Sequence, residues 1–251
     1  MNDLKINAYQ KESYGKDGPQ KFFSPFQPTL EKLKAQGRPL KILDIGCGNG
    51  SIASALFEYF EGQAAVVGLD STRYGAWETA PAGVTFYECS CFEMDDLFPE
   101  GEFDVICSNC LIHHLIFPTF RETLKMQNQY LQIVKRLLKS DGLFLVQEDT
   151  LEGYVGSYST YVHSYLTRIS FPPLVSVMRK IGAKSAGVGT FFRSIQKLRE
   201  YFQSNGFQIV QEIPALSVYR FPGLKGKLAS IVLLSREHKE DVSFVLTPRR
   251  S

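Results

Sequence analysis

A chain of 251 residues, 44% hydrophobic and 22% charged, holds enough apolar material for one packed α/β domain of ordinary size. A formal net charge of +2, with Arg249-Arg250 as the densest basic spot, gives no electrostatic footprint for nucleic acid. No apolar run reaches bilayer-spanning length, and Lys5, Lys11, Lys16 and Lys21 break up the N-terminus, so neither a membrane partner nor a signal peptide is expected and a cytoplasmic protein is read.

Residues 1–28 are polar and aromatic, punctuated by Gly15, Gly18, Pro19, Pro25 and Pro28. The spacing predicts a helix from Thr29 to about Gln36, stopped by Gly37 and Pro39. Leu40–Ile45 is an apolar run that ends in a glycine cluster, the pattern of a buried strand. Ser51–Phe60 carries Ile52 and Leu56 at helical spacing. A second strand is predicted at Ala64–Leu69, ending on Asp70, then a short helical segment at Thr72–Thr79 and further strands at Val84–Tyr87 and Phe103–Cys107. The longest helix, Thr119–Leu138, repeats Phe120, Leu124, Leu131, Val134 and Leu138 on one face. Asp141-Gly142 turns the chain into a fifth strand, Leu143–Val146.

Residues 150–192 interrupt this alternation with Tyr154, Tyr158, Tyr161, His163, Tyr165 and Pro172-Pro173. A helix at Ser194–Ser204 follows, stopped by Asn205-Gly206, and Phe207–Ile213 and Ala229–Leu234 read as the last two strands, an antiparallel pair with a long connection. The expected fold is α/β and Rossmann-like: a seven-stranded, mostly parallel sheet with helices on both faces and a partly helical insertion after strand 5. Residues 1–37 are read as an N-terminal lid and helical segment, and residues 38–251 as the main domain, with acceptor selection in the insertion at about 150–192.

The strand–glycine–helix unit at 40–60 carries the strongest chemical signal. Glycines at a strand end let backbone approach a ligand closely, in the crevice where open α/β sheets bind theirs. A dinucleotide fingerprint is Gly-x-Gly-x-x-Gly. Here Gly46-x-Gly48-x-Gly50 is followed by Ser51, one residue short of the pyrophosphate pattern. Asp70 stands 20 residues past Gly50, where a carboxylate either accepts from both hydroxyls of a ribose or caps the next turn through Ser71-Thr72. The five cysteines, Cys47, Cys89, Cys91, Cys107 and Cys110, are read as buried reduced thiols rather than zinc ligands, and no metal site is expected.

Asp44-x-Gly46-x-Gly48-x-Gly50, then Asp70, then Phe103–Leu115 with His113-His114, resembles the class I S-adenosylmethionine (SAM)-dependent methyltransferases, in particular the branch of quinone-biosynthesis and natural-product enzymes. The resemblance covers roughly residues 38–148 and echoes weakly at 193–213. It implies SAM as cofactor and S-adenosylhomocysteine as product. Asp44, Gly46, Cys47, Gly48 and Gly50 would hold the methionine portion, Asp70 the ribose, Ser90 and Cys91 the adenine, and Asn109 the underside of methionine and ribose. The family often has Asp where Ser90 stands, which weakens the adenine assignment.

Methyl transfer from a sulfonium needs alignment and exclusion of water, plus a general base only where the nucleophile carries a departing proton. Glu148 and His163 are the catalytic candidates, with His113, His114 and Asp149 behind them as candidate bases. Tyr14, His113 and Tyr154 are assigned to the acceptor, and Tyr9, Tyr14, Phe22 and Phe23 to aromatic cover over the cation. An insertion rich in Tyr and poor in Lys and Arg fits a small, partly aromatic acceptor methylated on O or N, less readily on C. A protein acceptor, or a non-catalytic SAM-binding subunit, is the alternative. A monomer or homodimer is expected.

Overall fold

The computed structural model describes residues 18–155, 157–168, 175–176, 187, 189–215, 217–219 and 235–249. Helix α1 (Gly18–Lys34) leads into β1 (Leu40–Ile45), α2 (Ser51–Tyr59), β2 (Ala64–Asp70), a 3-10 turn at Gly75–Thr79 and β3 (Val84–Glu88). There follow α3 (Met94–Leu97), β4 (Phe103–Asn109), a 3-10 turn at Ile112–His114, α4 (Phe120–Leu137) and β5 (Leu138–Gly153). The chain closes with α5 (Ser157–Arg168), α6 (Ile195–Ser204), β6 (Phe207–Ile213), β7 (Ser217–Tyr219) and β8 (Ser235–Pro248).

The strands lie in the order β3-β2-β1-β4-β5-β8-β6, with short β7 paired to β8. The first five run parallel, and β8 is antiparallel to both β5 and β6. The α/β class and the seven-stranded, mostly parallel sheet expected from the alternation are therefore present. The order reverses between β1 and β4, the switch point where such sheets open a crevice at their carboxyl edge.

Each sheet face has its own core because neighbouring residues of a strand point oppositely. Ile42, Val105, Leu145 and Val245 face α1 and α2, among Phe22, Phe26, Leu30 and Leu56. Leu43, Ile106, Phe144 and Phe244 face α4 and α6, among Leu131, Val134, Leu198 and Phe202. Among the described residues no helix is long and apolar enough to cross a membrane.

Three boundaries differ from the sequence expectation. Helix α1 starts at Gly18 and runs through Pro25 and Pro28. Pro19 is placed where a missing N–H costs nothing, and burial of Phe22, Pro25, Phe26, Leu30 and Leu33 outweighs the hydrogen bonds that the inner prolines forfeit. Strand β5 extends from Leu138 to Gly153, taking the first residues of the supposed insertion into the sheet. The last strand is Ser235–Pro248, which the charged run at 236–241 hides from a periodicity reading. Ala229–Leu234, expected as that strand, lies outside the described residues.

The long helix fits its prediction. Thr119 accepts from the Glu122 N–H at 3.1 Å while Glu122 accepts from the Thr119 N–H at 3.0 Å, a capping box. Gln147 of β5 donates to Ser243 of β8 at 3.1 Å and to the Lys21 carbonyl at 3.5 Å, tying α1 to the sheet centre.

Candidate cofactor and acceptor site

The glycine loop is held from three sides. The N–H groups of Gly46 and Cys47 donate to the Leu69 carbonyl at 2.8 and 3.0 Å, anchoring β1's end to β2. The Gly48 N–H donates to Asp70 Oδ2 at 2.9 Å. The Trp77 indole N–H donates to the Gly48 carbonyl at 2.9 Å. Gly46, Gly48 and Gly50 have φ of 72°, 53° and 79°, left-handed values that a side chain would strain. A Cβ on Gly50 would also lie 2.6 Å from the Phe86 ring, whereas none of the described residues comes within 4 Å of one on Gly48. Gly48 therefore faces space that these residues leave open. The Trp77 and Phe86 rings stack 4.9 Å apart and 10° from parallel, a rigid wall beside the loop. Trp77 was missed by the sequence reading, although a lone tryptophan seven residues past the strand-end acid was a signal.

Asp44 is 1% exposed, and its Oδ2 has no hydrogen-bond partner among the described residues. Burial, then the Asp70 charge, raise its pKa to about 7 against a smaller pull from the Ala53 N–H. Asn109, at the end of β4, likewise leaves its buried Oδ1 unpartnered. Two such acceptors on the ends of adjacent strands suit a ligand that brings donors and positive charge. SAM, with its ammonium and sulfonium, is such a ligand.

Asp70 fills the capping role weighed from sequence and braces the glycine loop as well. Its Oδ1 accepts from the Thr72 N–H at 3.0 Å, the capping arrangement, while Oδ2 steadies the loop. Ser90 is committed to local structure. Its N–H donates to Glu93 at 3.0 Å and its hydroxyl accepts from the Phe92 N–H at 3.3 Å. Cys91 is half-buried beside it, and burial pushes its thiol up to about 12. Burial likewise raises Cys47, Cys107 and Cys110, and Cys89 to about 11, so the cysteines stay protonated, unreactive thiols at neutral pH. All five are free of disulfides.

On the other side of β4 the 3-10 turn brings His113 to β5. His113 Nδ1 lies 2.6 Å from Glu148 Oε2, and Glu148 Oε1 accepts from the Ile112 N–H at 2.6 Å. Both side chains are buried, at 5% and 2% exposure. Burial works against a charged imidazole, but the Glu148 carboxylate outweighs it and holds His113 above its ordinary pKa. Burial, then the neighbouring His113, hold His114 well below. Gln127 props the same turn, donating to the carbonyls of Ile112 and Leu115 at 2.8 and 3.1 Å, and is held by Arg193 Nη2 at 2.7 Å.

The segment 189–193 roofs this group. Phe191 donates its N–H to the His113 carbonyl at 2.9 Å, and Leu151 donates to the Arg193 carbonyl at 3.0 Å. The Phe192 ring lies between His113, 4.7 Å away, and buried His163 of α5, 5.3 Å away. Glu148 and His163 thus belong to one buried neighbourhood, in which Glu148 contacts the Ile112 N–H and His113.

Other assigned residues lie elsewhere. Tyr154 is 61% exposed at the end of β5, and Tyr158 and Tyr165 also face outwards. The buried face of α5 is Ser159, Thr160, His163, Ser164 and Thr167. Phe22 is in the core against Phe26, and Phe23 packs on Tyr59, so neither covers a cation. Tyr9 and Tyr14 lie outside the described residues.

Comparisons with known proteins agree with this geometry. Residues 37–206 match a family described as a methyltransferase domain. No curated protein sequence matches the chain. Among solved structures, the Burkholderia thailandensis 1,6-didemethyltoxoflavin-N1-methyltransferase, with bound 1,6-didemethyltoxoflavin and S-adenosylhomocysteine, is similar at 18% identity and TM-score 0.53, covering 97% of this chain and 88% of that one. An arsenic (III) SAM methyltransferase from Chlamydomonas reinhardtii is similar at 15% and 0.56, covering 85% and 65%. PKMT2 from Rickettsia typhi, in complex with AdoHcy, is similar at 16% and 0.59, covering 92% and 54%. With more than half of its length matched, and a parallel sheet that opens at the switch point beside Asp44, Gly48 and Asp70, this chain belongs to the methyltransferase-domain family, whose cofactor is S-adenosylmethionine.

Proposed function

We propose that the protein transfers a methyl group from SAM to an O or N atom of a small molecule. The observation that carries this reading is the pair of buried acceptors, Asp44 Oδ2 and Asn109 Oδ1, without partners among the described residues and set on the ends of the adjacent strands β1 and β4 that lead into the glycine loop and the following turn. Asp44 with Gly46, Cys47, Gly48 and Gly50 would hold the methionine end. Asp70 would take the ribose, and the turn at Ser90-Cys91 the adenine edge.

A small acceptor is favoured over a protein by enclosure. Thr190, Phe191, Phe192 and Arg193 are all buried over His113, with α5 packed beyond them. A polypeptide substrate needs an open cleft at the reacting atom, and these buried residues close this side of His113.

Calorimetric titration with SAM and S-adenosylhomocysteine tests the cofactor half. Micromolar binding is expected for the wild type. Gly48→Val, which puts a branched side chain into the open space and into a left-handed backbone, should abolish it while the circular dichroism spectrum is kept. Unchanged affinity in that variant would remove the cofactor assignment.

A further inference from the structure

Methylation of a hydroxyl and of an amine make different demands. A neutral amine attacks first and sheds its proton afterwards, and a carboxylate is already ionised. A phenol, with a pKa of about 10, is a poor nucleophile until its proton is taken. A site built for it needs a base that is buried, fixed in orientation and unpaired on the side facing the acceptor.

His113 meets these conditions. Its Nδ1 is committed to Glu148 at 2.6 Å. That bond favours the neutral tautomer in which Nδ1 carries the proton, so that above the ring's titration midpoint Nε2 keeps its lone pair. Nε2 makes no hydrogen bond among the described residues. Glu148 is itself oriented by the Ile112 N–H, and the turn is braced by Gln127 and Arg193. Leu111, two residues earlier, covers Gly46, with its Cδ1 3.1 Å from where a Cβ on that glycine would be, so this turn and the glycine loop form one wall. The ring stands 4.7 Å from that of Phe192, tilted by 36°, and the adjoining Phe191 ring packs edge-on against Tyr161, so aromatic side chains border this side of the histidine. Thr150, Ser164 and Thr190 add fully buried hydroxyls without partners among the described residues, and these suit polar substituents on the acceptor.

The geometry points to His113 as the general base of this enzyme, Glu148 as its positioning residue, and a small aromatic hydroxyl compound as the acceptor. This rests on the methyl-transfer reading above. When bound, SAM supplies an electrophilic methyl whose carbon–sulfur bond breaks with its electron pair kept by sulfur. The acceptor oxygen forms the new bond to that carbon, and its proton passes to His113 Nε2. Glu148 stabilises the resulting imidazolium, and the proton then returns to solvent. The charged groups around the ring are Glu148 and Asp149 of β5, His114 of the same turn, His163 of α5 across Phe192, and Arg193 behind Glu148.

The test has an arm that needs no turnover. In nitrogen-15 NMR of histidine-labelled protein, His113, assigned by its loss in His113→Asn, should be protonated at Nδ1 and titrate above an ordinary histidine. Glu148→Gln should lower that midpoint. An Nε2-protonated ring, or a midpoint indifferent to Glu148→Gln, overturns the dyad. The second arm compares 4-methylphenol with 4-nitrophenol at a pH where only the latter is ionised. His113→Asn keeps a donor for Glu148 but has no base. It should lower turnover of 4-methylphenol by about 100-fold or more, in the range of general-base catalysis, and that of the ionised phenol by less than about 5-fold. Equal losses on both probes would make His113 structural only and overturn its catalytic role. Turnover of neither phenol, with SAM still bound in calorimetry, overturns the hydroxyl acceptor alone. Failure to bind SAM overturns the methyl-transfer reading and this proposal with it.

Discussion

At the residue scale, the site depends on carboxylates under different constraints. Asp44 is buried beside Asp70, and its pKa of about 7 lies above the roughly 3.9 of an unfolded Asp. Between those values the folded chain holds a proton that the unfolded chain has lost. Stability therefore falls as pH rises through that window, and the cost is complete above it. Asp44→Asn should stabilise the ligand-free protein at pH 8 by about 2–4 kcal/mol and leave it unchanged at pH 3, while weakening SAM. Urea midpoints at the two pH values check this, and an equal effect at both would exclude titration as the cause. Asp70 holds two backbone N–H groups before any ligand arrives. Asp70→Ala should weaken SAM by about 1.5–3 kcal/mol, as expected for a bond to a charged group, and loosen the loop as well. A calorimetric change below error would leave Asp70 a structural brace. Asp44, Asp70 and the glycines were legible in the sequence because backbone approach requires glycine and hydroxyl recognition favours a carboxylate. The pairing of His113 with Glu148, 35 positions apart, was not, since it depends on adjacent strands delivering both.

At the element scale, α1 contradicts its punctuation. Two internal prolines argued for loop, and the helix exists because its apolar face completes the core under β1 and α2. Phe26, fully buried there, should cost about 3–5 kcal/mol on replacement by Ala, read from chemical denaturation. A loss below about 1 kcal/mol would mean that α1 docks only weakly. Helix α5 shows the converse. Its tyrosine-rich sequence fitted an aromatic acceptor, but its outer face carries Tyr158 and Tyr165 and its inner face Ser159, His163, Ser164 and Thr167. Composition cannot tell which side of a helix faces in. The hydroxyls fit inside because that face packs against polar groups of β5 and of residues 189–193, including Thr190, whose N–H donates to Thr167 at 3.1 Å.

At the scale of the whole molecule, the crevice is lined by β1, β2, β4 and their following loops, so a ligand there bridges elements that otherwise meet only through the sheet. Binding to the folded state alone should raise its stability by about 2.7 kcal/mol at a hundredfold excess over Kd. For a chain of this size that is a rise in Tm of roughly 5–10 °C, measurable by calorimetry with S-adenosylhomocysteine. No shift at that excess would mean that S-adenosylhomocysteine does not bind the folded chain. The alternation of strands and helices determined the α/β class, and the local pattern of acid and glycine determined the cofactor loop, because both follow from short-range geometry. Tertiary structure decided the rest. It placed β8, with its charged first half, between β5 and β6. It also turned α5's polar face inwards and brought His113, Glu148, Phe192 and His163 together. Those outcomes depend on which distant segments pair and what each face meets, and no local spacing encodes that.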